Sequence, residues 1–229
     1  MICLALETSG RVGSVALSRD GQLLAEQTYP HGLKHAAALV SVVDSIVKAH
    51  GVLPREITAV AVSQGPGSFT GLRVGITLAK TLGYVTGAKI VAVPTLEVIV
   101  NNLPAEARHA IVLLDAKRGQ VFAQRFTRDA REGWIGVDAP RLATLEQMLR
   151  EVSGNVWLTG EGIEFHREET PIGDSLIRAS PDLWTGRASV VGRLAIARFE
   201  RGETTDEYAL TPLYVRLPEA EEKRLMGSR

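Results

Sequence analysis

An α/β fold of two like halves is predicted, each a mixed sheet covered by helices, with a cleft between them and the second half abbreviated. Apolar strands are followed by stretches of helical periodicity, the pattern of sheets flanked by helices. The second half opens as the first does, with an apolar strand, an acid (Glu7 or Asp115), a polar turn and a return strand, which reads as a weak internal repeat. No linker, coiled coil or low-complexity tract interrupts the 229 residues, a length for one large or two small lobes. The boundary is placed at Leu103-Pro104, giving lobes 1–103 and 104–229.

The elements follow in order. Ile2 to Leu6, Val12 to Leu17 and Leu23 to Tyr29 alternate as strands around an Asp20-Gly21 turn, an antiparallel meander. From Leu33 to His50, Ala36, Leu39, Val40, Val43 and Val47 recur at helical spacing, and Gly51 with Pro54 ends the segment. Ile57 to Val62 is a short buried strand running into Gly65-Pro66-Gly67-Ser68-Phe69-Thr70-Gly71, after which Leu72 to Tyr84 is helical. Lys89 to Val93 reads as a strand, and Leu96 to Val100 as a short helix after Pro94. In the second half the strands are Ile111 to Leu114, Val121 to Thr127 and Val156 to Thr159, the last leading into Gly160-Glu161-Gly162. Helices are expected near Thr144 to Val152 and from Ala188 to Arg201, before a Tyr214-Val215-Arg216 ending.

Composition removes several function classes. Twenty-six basic and twenty-six acidic side chains cancel, so the chain alone should grip nucleic acid poorly. The single cysteine, Cys3, excludes an internal disulfide and a cysteine-clustered metal site; inside an apolar strand it is expected to be inert. The first residues are too briefly apolar for a signal peptide, and no run approaches about twenty apolar residues, so no membrane association and a cytoplasmic location are expected.

The glycine loop is the sharpest local signal. Closely spaced glycines ahead of a helix can turn backbone N–H groups toward an anion, which makes Gly65, Gly67 and Ser68 candidate phosphate or nucleotide contacts. The loop is not a Walker A sequence, because no Gly-Lys-Ser or Gly-Lys-Thr follows, and Ser68 lacks the flanking glycines of a nucleophile elbow. The plainer reading is a turn from a buried strand into a tightly docked helix, capped by Ser68 or Thr70. His31 and His35, four apart, could ligate a metal, but no Glu follows His31 and no acid nearby completes a shell. Glu7 and Asp115 could face one cleft as paired carboxylates, although such acids more often cap turns. His50, His109 and His166 are read as surface or loop residues.

Two helices are under-charged. Gly71, Gly75, Ala79 and Gly83 fall four apart as a stripe of small residues, where close packing must offset the poor helix propensity of glycine. Opposite its core stripe the first helix shows Ala38, Ser41, Val42, Ser45 and Ala49, and Lys34, Asp44 and Lys48 are its only charges before His50. Such faces suggest burial against a partner protein or a second copy. The expected interface is His35, Ala38, Ser41, Val42, Ser45, Gly71, Gly75 and Ala79.

Leu4-Ala5-Leu6-Glu7-Thr8-Ser9, Gly65-Pro66-Gly67-Ser68-Phe69-Thr70-Gly71-Leu72-Arg73-Val74-Gly75, Asp115-Ala116-Lys117-Arg118-Gly119 and Pro212-Leu213-Tyr214-Val215-Arg216 together resemble the TsaB (YeaZ) family over nearly the whole length. The resemblance implies a duplicated ribonuclease H-like fold of the actin/Hsp70 type (ASKHA). It implies a non-catalytic scaffold in the synthesis of N6-threonylcarbamoyladenosine at position 37 of tRNAs reading ANN codons. The catalytic paralogue TsaD would dock on the first-lobe helices, TsaE would join as an ATPase, and a homodimer would form alone. Contact with tRNA would come only through the complex, with no cofactor of its own and an adenine nucleotide possible at the partner interface. Thr95 and Ile99 stand where TsaD carries two metal-binding histidines, and neither replaces an imidazole. Glu7 replaces the aspartate common at the first acidic turn. The competing expectations are an actin-like ATPase or kinase, using Glu7 or Asp115 on magnesium, and a metallopeptidase using His31 and His35.

Overall fold

The computed structural model describes residues 1–30, 35–150, 154–166 and 175–216. Strands β1 (Ile2–Glu7), β2 (Val12–Arg19) and β3 (Gln22–Pro30) form the antiparallel meander. Asp20 and Gly21 join β2 to β3 with φ of 49° and 81°, the left-handed pair that a tight hairpin turn needs. Helix α1 (His35–Ala49) leads to β4 (Ala59–Gly65), and α2 (Phe69–Thr86) leads to β5 (Lys89–Pro94), so both strands add in parallel and the order is β3-β2-β1-β4-β5. Helix α2 stops at Gly87, whose φ of 75° closes its last turn.

Helix α3 (Thr95–Val100) carries the chain to a second sheet made from β6 (His109–Asp115), β7 (Val121–Asp129), β8 (Gly133–Gly136), β9 (Arg141–Ala143), β10 (Val156–Thr159) and β11 (Leu176–Arg178). Its order, β11-β10-β6-β7-β8 with β9 on β7, repeats the first sheet strand for strand. In each, the opening strand pairs antiparallel with its successor and parallel with the strand after the helical excursion. The duplication read from Glu7 and Asp115 is therefore visible in the register. Strands β8, β9 and β11 and the one-turn helix α5 (Gly162–Phe165) were not expected. Each has four residues or fewer, too short for a period to show. Helix α4 (Leu145–Arg150) is opened by Thr144, whose hydroxyl accepts from the Gln147 amide at 3.2 Å while Gln147 returns a bond to the Thr144 amide at 2.9 Å.

Alternation along β1 sends side chains to two different layers. Leu4 and Leu6 join Val15, Leu17, Val60 and Val62 against α1 and α2. Cys3 and Ala5 join Ala16, Ala59 and Ala61 on the other face, where Ala188, Val191 and Ala195 of α6 (Ala188–Glu200) cover them. The small side chains let this helix lie close; a Cβ at Gly192 would stand 3.2 Å from the Ala5 methyl. A cut at 103/104 assigns α6 to the second lobe, whereas the helix packs on the first sheet. The following residues stay there, with the Thr205 amide donating to the Ile90 carbonyl and the Leu213 amide to the Gln64 carbonyl, both at 2.8 Å.

Candidate functional site

The acids that open the two halves have different fates. Glu7 is fully buried, and its Oε1 accepts from the Ser9 amide (2.7 Å), the Ser9 hydroxyl (2.5 Å) and the Ser63 hydroxyl (3.0 Å). Its Oε2 has no hydrogen-bond partner among the described residues. Burial pushes this carboxyl above its usual range, against the opposing effect of the serines. Asp115 instead lines a cleft of about 380 Å3 between the lobes, where it holds Lys117 Nζ at 2.5 Å and the Lys117 amide at 2.8 Å. Glu7 does not line that cleft, so the two carboxyls do not form a pair for magnesium.

The cleft's other charged side chains meet a backbone amide and an aromatic ring. The Arg11 amide reaches the Glu161 carboxylate at 3.2 Å, and the Arg11 guanidinium lies 4.4 Å from the centre of the Phe165 ring. Lys117 Nζ lies 4.9 Å from the same ring. Burial raises the Glu161 carboxyl above its ordinary value, with the Arg11 amide opposing it.

The glycine loop serves the fold. The Ser68 amide donates to the Ser9 carbonyl at 2.7 Å, and a Cβ on Gly67 would stand 2.5 Å from that same oxygen. Ser68 caps α2 by accepting from the Gly71 amide at 3.2 Å, as the plainer reading expects. The Gly65 amide donates to Thr95 Oγ1 at 3.1 Å. Gly67 and Ser68 line the cleft and Gly65 does not. Two of the three amides proposed for an anion thus already have internal acceptors.

No group of three His, Cys, Asp or Glu side chains able to hold a metal occurs among the described residues. His31 and the side chain of His35 lie outside them. Thr95 and Ile99 are buried, one bound to Gly65 and the other packed in the core, a donor set that does not fit iron or zinc. His166, expected on the surface or in a loop, lies in the turn after α5 and is buried. Cys3 is buried with its thiol pushed up to about 12, which keeps it protonated and inert.

The exposed helix face differs in detail from the expected one. Ser41 and Ser45 are exposed and Ala38 is half-buried. Val42 is buried in the core and Val40, assigned to the core stripe, is 53% exposed. The buried residues Leu39, Val43 and Ile46 define the inward direction, and Val40 lies about 100° round the helix from Leu39. Gly71, Gly75 and Ala79 also turn inward: a Cβ at Gly75 would collide with the Thr8 side chain, and Ala79 sits in the core. These three and Val42 are therefore corrected from partner contacts to internal packing. Between α1 and α2 the surface holds an apolar groove of about 320 Å3, lined by Leu39, Val40, Arg73, Val74, Thr77, Leu78 and Thr81. Val74, Leu78 and Thr81 were legible in principle, because they recur at helical spacing about 100° round the helix from the glycine stripe.

Comparison with known proteins places these features. A family model described as TsaD, tRNA N6-adenosine threonylcarbamoyltransferase, matches residues 30–151, which include both groove helices. The chain is 30% identical over 231 residues to the tRNA threonylcarbamoyladenosine biosynthesis protein TsaB of Bacillus subtilis, covering 97% of each. It is 27% identical to the TsaB protein of Escherichia coli, covering 94% of this chain and 95% of that one. The tRNA N6-adenosine threonylcarbamoyltransferase of Thermomicrobium roseum aligns over 42% of this chain and 31% of its own length, at 33% identity. The solved structure of YeaZ from Pseudomonas aeruginosa has the same fold, with a TM-score of 0.80 at 24% identity over 93% of this chain and 99% of that one.

Proposed function

The chain belongs to the TsaB family of tRNA threonylcarbamoyladenosine biosynthesis proteins, and from that membership we propose that it docks to TsaD through the groove between α1 and α2. It acts as the non-catalytic partner of the threonylcarbamoyltransferase, in the pathway that modifies adenosine 37 of tRNAs reading ANN codons. The groove carries the docking reading. Val40 is 53% exposed beside half-buried Val74 and Leu78, an apolar face on two helices that the lobe's own core leaves uncovered. The ATPase reading is disfavoured by the chemistry of the loop and the acid, since the Ser68 amide and Glu7 Oε1 already have internal partners.

Ala38, Ser41 and Ser45 do not line the groove and would extend the docking face across α1. In the absence of TsaD the same face would hold a second copy of the chain. TsaE would join the assembled pair, tRNA would be met only in that assembly, and an adenine nucleotide would belong to the interface. No described helix is long and apolar enough to cross a membrane.

Titration against purified TsaD tests the groove. Val40→Asp and Leu78→Asp each place a charge in an apolar contact and should weaken binding by at least about 10-fold. Both should reduce modified-tRNA formation in reconstitution; Val40→Asp should leave the unfolding midpoint little changed, while Leu78→Asp, at a half-buried side chain packed on the core, should lower it. Unaltered binding by both variants would remove the groove from the interface.

A further inference from the structure

Two motifs meet at the rim of this groove. Arg73 lies in the glycine-loop run Gly65–Gly75 and Tyr214 in Pro212–Arg216, 141 residues later in sequence. The Tyr214 ring stacks on Phe69 with centroids 5.2 Å apart and 29° between planes. The Arg73 guanidinium carbon sits 3.8 Å above the centre of Phe69, and its Nε donates to the Tyr214 hydroxyl at 2.9 Å. The strap carrying Tyr214 is itself fastened. Leu213 donates to the Gln64 carbonyl, Gln64 Nε2 donates to the Thr211 carbonyl at 3.0 Å, and Arg216 bonds the Ala116 carbonyl and Gln120 Oε1.

These contacts use one edge and one face of the guanidinium. Its two terminal nitrogens have no hydrogen-bond partner among the described residues, and the side chain is exposed. Among the described residues, Arg73 is also the one charged side chain lining the groove. A freely rotating arginine would lose rotamer freedom on binding, whereas this one is already held by a ring and a hydroxyl. The planar fork suits a carboxylate that accepts two parallel N–H bonds. An exposed pair of this kind contributes little, but a docked partner would cover it and strengthen it.

We propose that Arg73, held over the Phe69 ring and by the Tyr214 hydroxyl, is the polar specificity contact of the groove and receives a carboxylate of TsaD. This rests on the groove being the docking face. The partner surface it fits is an amphipathic helix with an apolar stripe for Val40, Val74 and Leu78 and an Asp or Glu at the Arg73 end. The strap acts as a positioning element, with Tyr214 aiming the fork.

The test measures affinity for purified TsaD at low and high salt, beside the unfolding midpoint, for Arg73→Lys, Arg73→Ala, Tyr214→Phe and Val40→Asp. Arg73→Lys keeps the charge and loses the fork, and should bind about 10-fold more weakly; Arg73→Ala should lose about 10- to 100-fold and much of the salt dependence. Tyr214→Phe keeps the stack and loses the Nε bond, and should fall between wild type and Arg73→Lys with an unchanged midpoint. If Arg73→Lys and Tyr214→Phe bind within about twofold of wild type while Val40→Asp does not, the arginine contact is refuted and the groove stands. If Val40→Asp also binds normally, the groove reading itself is refuted. Should Arg73→Ala prove unstable, the lysine and phenylalanine variants decide the outcome alone.

Discussion

The Glu7 carboxyl is buried and accepts three hydrogen bonds on one oxygen and, among the described residues, none on the other. Its folded pKa is raised above the ordinary 4.5, first by burial, so the native state binds its proton more tightly than the unfolded chain. This stabilisation is complete below the unfolded pKa and declines as pH rises through the folded one. Glu7→Gln removes the titration and keeps an acceptor for Ser9 and Ser63, at a packing cost that does not vary with pH. Unfolding midpoints from about pH 4 to about pH 8 should show the variant gaining on wild type as pH increases. Parallel profiles would mean that Glu7 does not titrate in this range. An acid at the end of the first strand was legible in the sequence. Its satisfaction by Ser63, 56 residues away, required the parallel pairing of β1 and β4.

Helix existence was legible from periodicity, and the assignment of helix faces was less so. In α2 a stripe of small residues fits either a close partner or a close strand, because both need backbones to approach. The structure gives the stripe to the end of β1, with Gly75 against Thr8 just past the strand, and to β5, with Gly83 against Ile90, and leaves Val74, Thr77, Leu78 and Thr81 outside. Gly75→Ala measures the choice. Helix propensity favours alanine by about 1 kcal/mol, while overpacking against a buried threonine costs about 1–3 kcal/mol. A net loss of up to about 2 kcal/mol in chemical denaturation is expected, with TsaD affinity unchanged once the variant is folded. A stabilised variant with impaired docking would return this face to the partner. In α1, Val40 and Val42 exchange roles, since valines two positions apart are chemically identical and only the direction of the sheet separates them.

At the scale of the whole molecule, the two halves share one strand order, and the last described helix belongs to the first sheet. Ala195→Leu should therefore cost about 1–3 kcal/mol by overpacking and weaken amide protection in β1 and β4 before β6. Loss of protection confined to β6 and β10 would contradict this placement. The sequence by itself determined the α/β class, the duplicated strand, acidic turn and return strand, and the family signature, because alternation and helical period are local properties of the chain. The tertiary structure decided which helix face stays uncovered, how Glu7 is satisfied, where α6 packs and that Tyr214 clamps Arg73. Each of those depends on contacts between segments distant in sequence, where burial and hydrogen bonding select among faces that periodicity alone leaves equivalent.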